Sequence, residues 1–272
     1  INAEPEEIIF TSGGSESNNT VTNIFSGQKI AVSSIEHPSV LESAKARANK
    51  LTLIPVDRDG RVDPADIPSG ADLVSVMLAN NELGTLEPIR NIVKRCKNPS
   101  IREEWKSSFH SRGCAGFSWQ SQENYNSGKT SRTCVHTDAT QALGKIHIDV
   151  KDLDVDYLTI SAHKIGGPIG IGALYIKKGS PFRPLIIGGH QENKRRAGTS
   201  NTLLIAGFGA AAKHVREQKT YRTYAKKIKP LRDQLRLRIL AEIPYSSANT
   251  PEQGCLPNIL NMSFRAAEGE SI

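Results

Sequence analysis

The chain has 272 residues, 38% of them hydrophobic and 23% charged, the make-up of an ordinary globular protein long enough to bury one large core. The net charge is +7. No run of about 18 apolar residues occurs, so no transmembrane helix and no membrane partner are expected. The chain starts at Ile1 rather than Met, and a cut edge with any leader removed is the expectation.

In chain order, residues 8–10 (IIF) read as a short buried strand, followed by a polar turn and a helix running to Asn23. Residues 29–33 form a second strand. Residues 38–49 form a helix with Pro38 in its first turn, where a missing N–H costs little. Residues 51–56 are the next strand. Residues 72–79 (DLVSVMLA) are apolar on both faces, as a central parallel strand should be. A helix is expected over 87–97, strands over 155–161 and 171–177, and a helix over 202–217. This alternation predicts an α/β fold with a mostly parallel sheet, in which ligands bind beyond the carboxyl ends of the strands.

Three stretches stand apart. Residues 98–133 contain eight serines, only eight hydrophobic residues and both tryptophans, with no clear period. They read as a surface insertion or as sequence foreign to the domain. Residues 213–238 carry ten basic and two acidic residues, so the rest of the chain is close to neutral. No aromatic platform accompanies this charge. The expectation is therefore a solvated helix pair broken at Pro230, with Leu231, Leu235 and Ile239 facing inward, and no nucleic-acid partner. The four cysteines (Cys96, Cys114, Cys134, Cys255) form no CxxC pair, which argues against a zinc ribbon, a redox dithiol or a disulfide scaffold. They fit a reducing compartment, and no metal site is expected.

Three motifs carry chemistry. In SGGSESN (12–18) two glycines allow a tight turn from strand to helix. The helix start and the Ser15 hydroxyl could cradle an anion, or Ser15 could simply cap the helix. In HTDATQ (136–141), Asp138 sits beyond a strand, as a site carboxylate or as a cap. In SAHK (161–164), followed by Gly166 and Gly167, Lys164 could be a nucleophilic amine or a solvated lysine. Together, a phosphate cradle, an acid and a lysine, each after a strand, form the layout that a pyridoxal phosphate site requires.

The resemblance then becomes explicit. The stretches TSGGSESNN (11–19), EHPSV (36–40), ANNELGT (79–85), HTDATQALGKI (136–146), SAHKIGGPIGIGALYI (161–176), GGHQENKRRAGTSNT (188–202) and PNILNMSF with EGES (257–271) occur in order over nearly the whole chain except 98–133. In these the chain resembles the cysteine desulfurases and selenocysteine lyases, pyridoxal-phosphate enzymes related to the class V aminotransferases. The resemblance implies the large domain of a pyridoxal-phosphate-dependent transferase, of the aspartate aminotransferase type, over 1–218. It also implies the start of a small α+β C-terminal domain over 219–272.

It implies roles as well. Lys164 would be the Schiff-base lysine and then move the substrate Cα proton. Asp138 would pair with the pyridinium nitrogen, and His37 would stack on the ring and act in proton transfer. Asn81 and Gln141 would contact the ring hydroxyl, while Gly14, Ser15, Ser161 and His163 would hold the phosphate. Thr199 would reach the phosphate of the partner subunit in a homodimer. Ser15 stands where many members carry Thr, with the hydroxyl retained. The substrates implied are L-cysteine or L-selenocysteine, with L-alanine as product, in a cytoplasmic or mitochondrial setting, and a sulfur-acceptor protein is a possible partner. The family's persulfide cysteine and substrate-carboxylate arginine are expected beyond Ile272, and the four cysteines present are read as structural or incidental thiols. Two alternatives stay open: another class V aminotransferase or lyase, and a catalytically inactive fragment that binds only a cofactor or a partner.

Overall fold

The computed structural model describes residues 1–97, 132–265 and 267. Most of the 98–133 insertion, with Cys114 and both tryptophans, and the EGES segment therefore lie outside the described residues. Among the described residues, seven strands form one sheet: β1 (Ile8–Thr11), β2 (Lys29–Ser33), β3 (Lys50–Ile54), β4 (Leu73–Ser75), β5 (Cys134–Asp138), β6 (Tyr157–Ser161) and β7 (Gly172–Ile176). Their order is β1-β7-β6-β5-β4-β2-β3. Strands β3, β2, β4, β5 and β6 run parallel, and β7 lies antiparallel between β6 and β1.

The period of two along each strand sends alternate residues into two separate cores. Cys134, Tyr157 and Leu174 pack with Val21, Ile24 and Phe25 of helix α1 (Gly14–Ile24) and its following turn, and with Val40 and Ala44 of α2 (Pro38–Arg47). Val135, Leu158, Ala173 and Tyr175 face the opposite side, where α3 (Ile89–Lys97) contributes Ile89, Ile92, Val93 and Cys96. The short α4 (Val150–Leu153) and the long α5 (Thr202–Gln218) add Val150 and Phe208 to that second core. The result is a three-layer α/β/α stack with the ends of β4, β5 and β6 opening at one edge. Asp149 caps α4 by accepting from Lys151 and Asp152, and Asn201 caps α5 by accepting from Leu204.

Several boundaries differ from the sequence reading. The strand expected over 72–79 pairs as a ladder only over Leu73–Ser75, although Val76 and Leu78 still donate to the carbonyls of His136 and Asp138. The helix expected from residue 87 starts at Ile89, after Pro88. Helix α2 stops at Arg47, two residues short of expectation.

The basic stretch is corrected more deeply. The chain breaks at Lys219, which takes a left-handed φ of 47°, and not at Pro230. A π-helical segment (Tyr224–Ile228) runs straight into α6 (Lys229–Glu242), whose first turn contains Pro230. Proline lacks the N–H that an unbroken α ladder needs, and a π turn is one way to shift the ladder around it. Leu231 and Leu235 are exposed, at 61% and 53%, instead of facing inward. The buried residue of α6 is Arg232, which donates to the carbonyls of Leu256 and Ile259, both at 3.2 Å, and to Cys255 Sγ. A guanidinium with five donors wins that face because the facing loop offers bare carbonyls that leucine could not satisfy. A separate two-stranded ladder pairs β8 (Ser246–Ala248) with β9 (Met262–Phe264). Among the described residues, no helix is long and apolar enough to cross a membrane.

Candidate active site

The turn between β1 and α1 is built by Gly13, with φ 154° and ψ −178°, a conformation open in practice only to glycine. Gly13, not Ser15, is the N-cap of α1, so the capping alternative for Ser15 does not hold. Ser15 lies inside the first turn instead. The first helical bond runs from Ser17 N to Gly13 O at 3.2 Å, so the amides of Gly14, Ser15 and Glu16 precede it and form the open helix start. Gly172 of β7 presses on this turn from behind. A Cβ there would stand 2.7 Å from the Gly13 carbonyl carbon, so only glycine lets the strand approach so closely.

The helix start faces the ends of β5 and β6. A Cβ on Gly14 would meet Thr140 Oγ1 at 3.3 Å, Thr159 Cγ2 at 3.7 Å and Ser161 Cβ at 3.9 Å. Thr140 Oγ1 is buried and has no hydrogen-bond partner, and such an orphan hydroxyl beside an open helix start suits an anionic ligand. Ser161, the last residue of β6, is hydrogen-bonded through Oγ to His163 Nδ1 at 2.8 Å. Burial, and then the charge of Lys164, push the His163 imidazole below its usual range.

Lys164 lies on a single 3-10 turn, Ala162–Ile165, ended by Gly166 in the left-handed region at φ 78°. Its side chain is exposed on the site edge. A second amine stands near it. Lys145 is buried, donates to Gln141 Oε1 at 2.9 Å, and is pushed down to about 8 by burial and by the like charge of Lys164. With its carbonyl oxygen held by Lys145, Gln141 keeps its amide N–H group for another acceptor.

Asp138 ends β5 and is 7% exposed. Its Oδ2 accepts from Asn18 Nδ2 at 2.8 Å, and its Oδ1 from the Thr140 amide at 2.9 Å. Two residues back on the same strand face, His136 lies between Ser75 Oγ at 2.8 Å and Thr159 Oγ1 at 3.1 Å. Burial holds His136 down at about 4, against the pull of Asp138, so it is neutral at ordinary pH.

His37 is the N-cap of α2, with its Nδ1 accepting from the Ser39 amide at 3.1 Å and lying 2.8 Å from Ser39 Oγ. The preceding Glu36 is fully buried. Its Oε1 accepts from Ser33 Oγ and the Met77 amide, both at 2.6 Å, while Oε2 has no partner. Burial, and then the charges of Asp138 and Glu87, raise Glu36 to about 8. A carboxyl raised in the fold stabilises it fully below the unfolded value of about 4.3, and loses that contribution as pH rises through about 8. Glu36→Gln is therefore expected to bring the urea midpoint at pH 8.5 above that of the wild type and to narrow the gap at pH 5. Equal midpoint shifts at both pH values would show that Glu36 is ionised in the fold.

Asn81 is half-buried in the turn after β4. That turn is organised by Asn80, whose Oδ1 accepts from the Glu82 and Leu83 amides at 2.9 and 2.7 Å and whose amide reaches the Ile35 carbonyl near His37. Thr199 is not brought to the cradle. It is exposed, and its side chain makes no hydrogen bond within the described residues. Its turn is nevertheless tied to α1, because Arg196 grips Glu16 through two bonds, at 2.9 and 3.1 Å. Burial would raise Glu16, but the bonds from Arg196 and Ser12 hold it below its ordinary value.

The sequence reading missed Asn18, Ser39, Thr140, Lys145 and the Glu16–Arg196 pair. Asn18 is a buried amide one turn after Gly14, on a helix face that also buries Ser17, Thr20 and Thr22, so no break in an apolar pattern marks it in the sequence.

The donor set fits pyridoxal 5′-phosphate. A helix start with hydroxyls suits the phosphate, an accepting carboxylate suits the ring N–H, and an amine at a strand end suits the aldehyde. A sequence model of the family described as "Aminotransferase class-V" matches residues 1–102 and 115–272. The chain is 39% identical over 287 aligned residues to a cysteine desulfurase IscS of Clostridium botulinum, covering 100% of this chain and 64% of that protein. It is 37% identical to a cysteine desulfurase of Nostoc sp., with 62% of that protein covered. Among solved structures, a NifS-like protein superposes with TM-score 0.79 at 34% identity, covering 99% of this chain and 68% of that one. DndA from Streptomyces lividans does so with TM-score 0.77 at 29% identity, covering 99% and 71%. The chain thus spans a little under two thirds of the length of these curated relatives. The family match over nearly the whole chain, and the similarity to these relatives, show that the chain belongs to the aminotransferase class-V family and takes pyridoxal 5′-phosphate as its cofactor.

Proposed function

We propose that this chain carries the cofactor domain of a cysteine desulfurase, which removes sulfur from L-cysteine to leave L-alanine. The observation that supports this best is the spatial convergence of Gly14, Thr140, Ser161, Asp138 and Lys164 at one sheet edge, in a chain similar to named cysteine desulfurases. Bound there, pyridoxal phosphate supplies an electrophilic aldehyde and an electron-withdrawing ring.

The chain's own residues do the rest. Lys164 would present its Nζ toward the aldehyde of the bound group and would hold the proton taken from the substrate Cα. Asp138 would accept the ring N–H, its carboxylate held in place by the donors Asn18 and Thr140. The α1 start, with Gly14 and Ser15, and the pair Ser161 and His163 bind the phosphate. His37 covers the ring and holds a proton at its free nitrogen. Asn81 and Gln141 bind the ring hydroxyl, with Gln141 turned by Lys145 to donate.

The protein works as a homodimer in this reading, with Thr199 completing the partner's phosphate site. Ile169, Ile187 and Leu203, exposed at 84%, 84% and 83%, supply an apolar surface near the turn that carries Thr199. The domain division at residue 218 is supported by the left-handed break at Lys219 and by the separate β8–β9 ladder. Delivery of the sulfur to an acceptor protein completes the proposal.

The test supplies the chain with pyridoxal phosphate and measures L-alanine from L-cysteine and, in parallel, from L-selenocysteine. Alanine from cysteine supports the proposal. Alanine from selenocysteine alone shifts the substrate, and transfer of the amino group to a keto acid replaces the reading with an aminotransferase.

A further inference from the structure

We propose that Asn18 and Ser39 are positioning residues that join Asp138 to His37 in one line of hydrogen bonds, presenting a fixed carboxyl oxygen to the cofactor ring at one end and an Nε2–H at the other. The proposal rests on the pyridoxal-phosphate reading of the site.

Asn18 is 1% exposed, on the inner face of α1. Its amide nitrogen has two hydrogens and two acceptors, Asp138 Oδ2 and Ser39 Oγ, each at 2.8 Å. An amide nitrogen only donates, so both hydrogens are spent. The reverse orientation would set the Asn18 carbonyl against the Asp138 carboxylate, two acceptors facing each other. Ser39 Oγ, which already accepts from Asn18, is left to donate its own hydrogen, and His37 Nδ1 lies 2.8 Å away. His37 Nδ1 also accepts from the Ser39 amide as the cap of α2. A ring nitrogen that accepts carries no proton, so neutral His37 must carry its proton on Nε2, on the exposed edge of the ring. As a neutral group His37 is therefore a proton donor toward the site.

At the other end both Asp138 oxygens accept, one from Asn18 and one from the Thr140 amide, which fixes the orientation of the carboxyl group. Asn18 Oδ1 is buried with no partner. An apolar residue would pack this helix face without that cost. The amide is retained for its two donors.

The first measurement is the nitrogen-15 spectrum of His37 in the cofactor-free wild-type protein at about pH 9, where an ordinary imidazole is neutral. A pyrrole-type Nε2 and a pyridine-type Nδ1 are expected, and the opposite tautomer would overturn the His37 end. The second is the dissociation constant of two compounds, pyridoxal phosphate and its 1-deaza analogue, in which a C–H replaces the ring nitrogen. Asn18→Ala should weaken pyridoxal phosphate about tenfold, the worth of one charge-assisted hydrogen bond. It should leave binding of the deaza analogue at the wild-type value, because Asp138 then has no ring N–H to meet. Equal losses with both compounds, or none with either, would overturn the role of Asn18. Ser39→Ala keeps the backbone amide that caps α2 but removes the hydroxyl, so it should keep the tautomer and shift the His37 Nδ1 resonance, and an unchanged Nδ1 resonance would remove Ser39 from the line. A wild-type chain that binds neither compound sinks the cofactor reading and the Asp138 end with it, while the tautomer still decides the His37 end.

Discussion

Replacing Lys164 by alanine is expected to lower alanine release by about a thousandfold or more, the scale on which a positioned acid–base group acts. It should also remove the borohydride-reducible bond to pyridoxal phosphate. The expectation turns on a choice between two amines. Lys145 is pushed down to about 8, and on acidity alone could serve as the nucleophile near neutral pH. Position decides against it. Lys145 is buried and its Nζ is engaged by Gln141 Oε1 at 2.9 Å. Lys164 is exposed on the turn that follows β6, beside Ser161 and His163. Peptide mapping after borohydride reduction should find the label on Lys164 in the wild type and no label in Lys164→Ala. A label on Lys145 in the wild type would reassign the nucleophile and leave Lys164 as its electrostatic neighbour.

Arg232→Ala is expected to destabilise the fold by about 3 kcal/mol, because two buried carbonyls lose their donor and each unsatisfied buried group costs about 1–3 kcal/mol. The loop that Arg232 holds is itself part of the frame of the site. Leu256 N donates to the Gly84 carbonyl at 2.7 Å, and Leu86 N to the Gly254 carbonyl at 2.8 Å, so this loop braces the turn carrying Asn81. A fall of about 1 M in the urea midpoint is the expected reading for a protein of this size. Arg232→Lys should recover only part of it, since a single ammonium cannot reproduce the fork that spans Leu256, Ile259 and Asp233. A midpoint unchanged by Arg232→Ala would mean that water replaces the guanidinium there, and that leucines of α6 could have taken the face after all.

Much of the framework was legible in the chain alone. The run DLVSVMLA over residues 72–79 is apolar on both faces, and a strand covered by helices on both sides buries such a run, so the alternating pattern leads directly to a parallel sheet. Glycine pairs and prolines mark where each strand hands over to a helix, because the conformation that Gly13 adopts is closed to other residues. Lys164 and Asp138 were legible for the same reason: a polar residue just past an apolar strand is where such sheets expose chemistry.

What the sequence could not supply depends on partners distant along the chain. Asn18 meets Asp138 across 120 positions, and Arg232 meets Leu256 across 24, and neither pairing leaves a period or a motif. The inward face of α6 was misread because hydrophobic spacing assumes an apolar partner, whereas the facing loop presents carbonyls that only a donor can satisfy. The break at Lys219, rather than at Pro230, is likewise tertiary. A π turn can route the helix past a proline, while a left-handed φ at a lysine persists only where surrounding contacts hold it. Local chemistry along the chain determined the strands, the turns and the reactive groups. The tertiary structure decided what His37 and Asp138 are hydrogen-bonded to, which of the two lysines is buried and which helix face is buried, because each of those follows from partners that only folding brings within 3 Å or so.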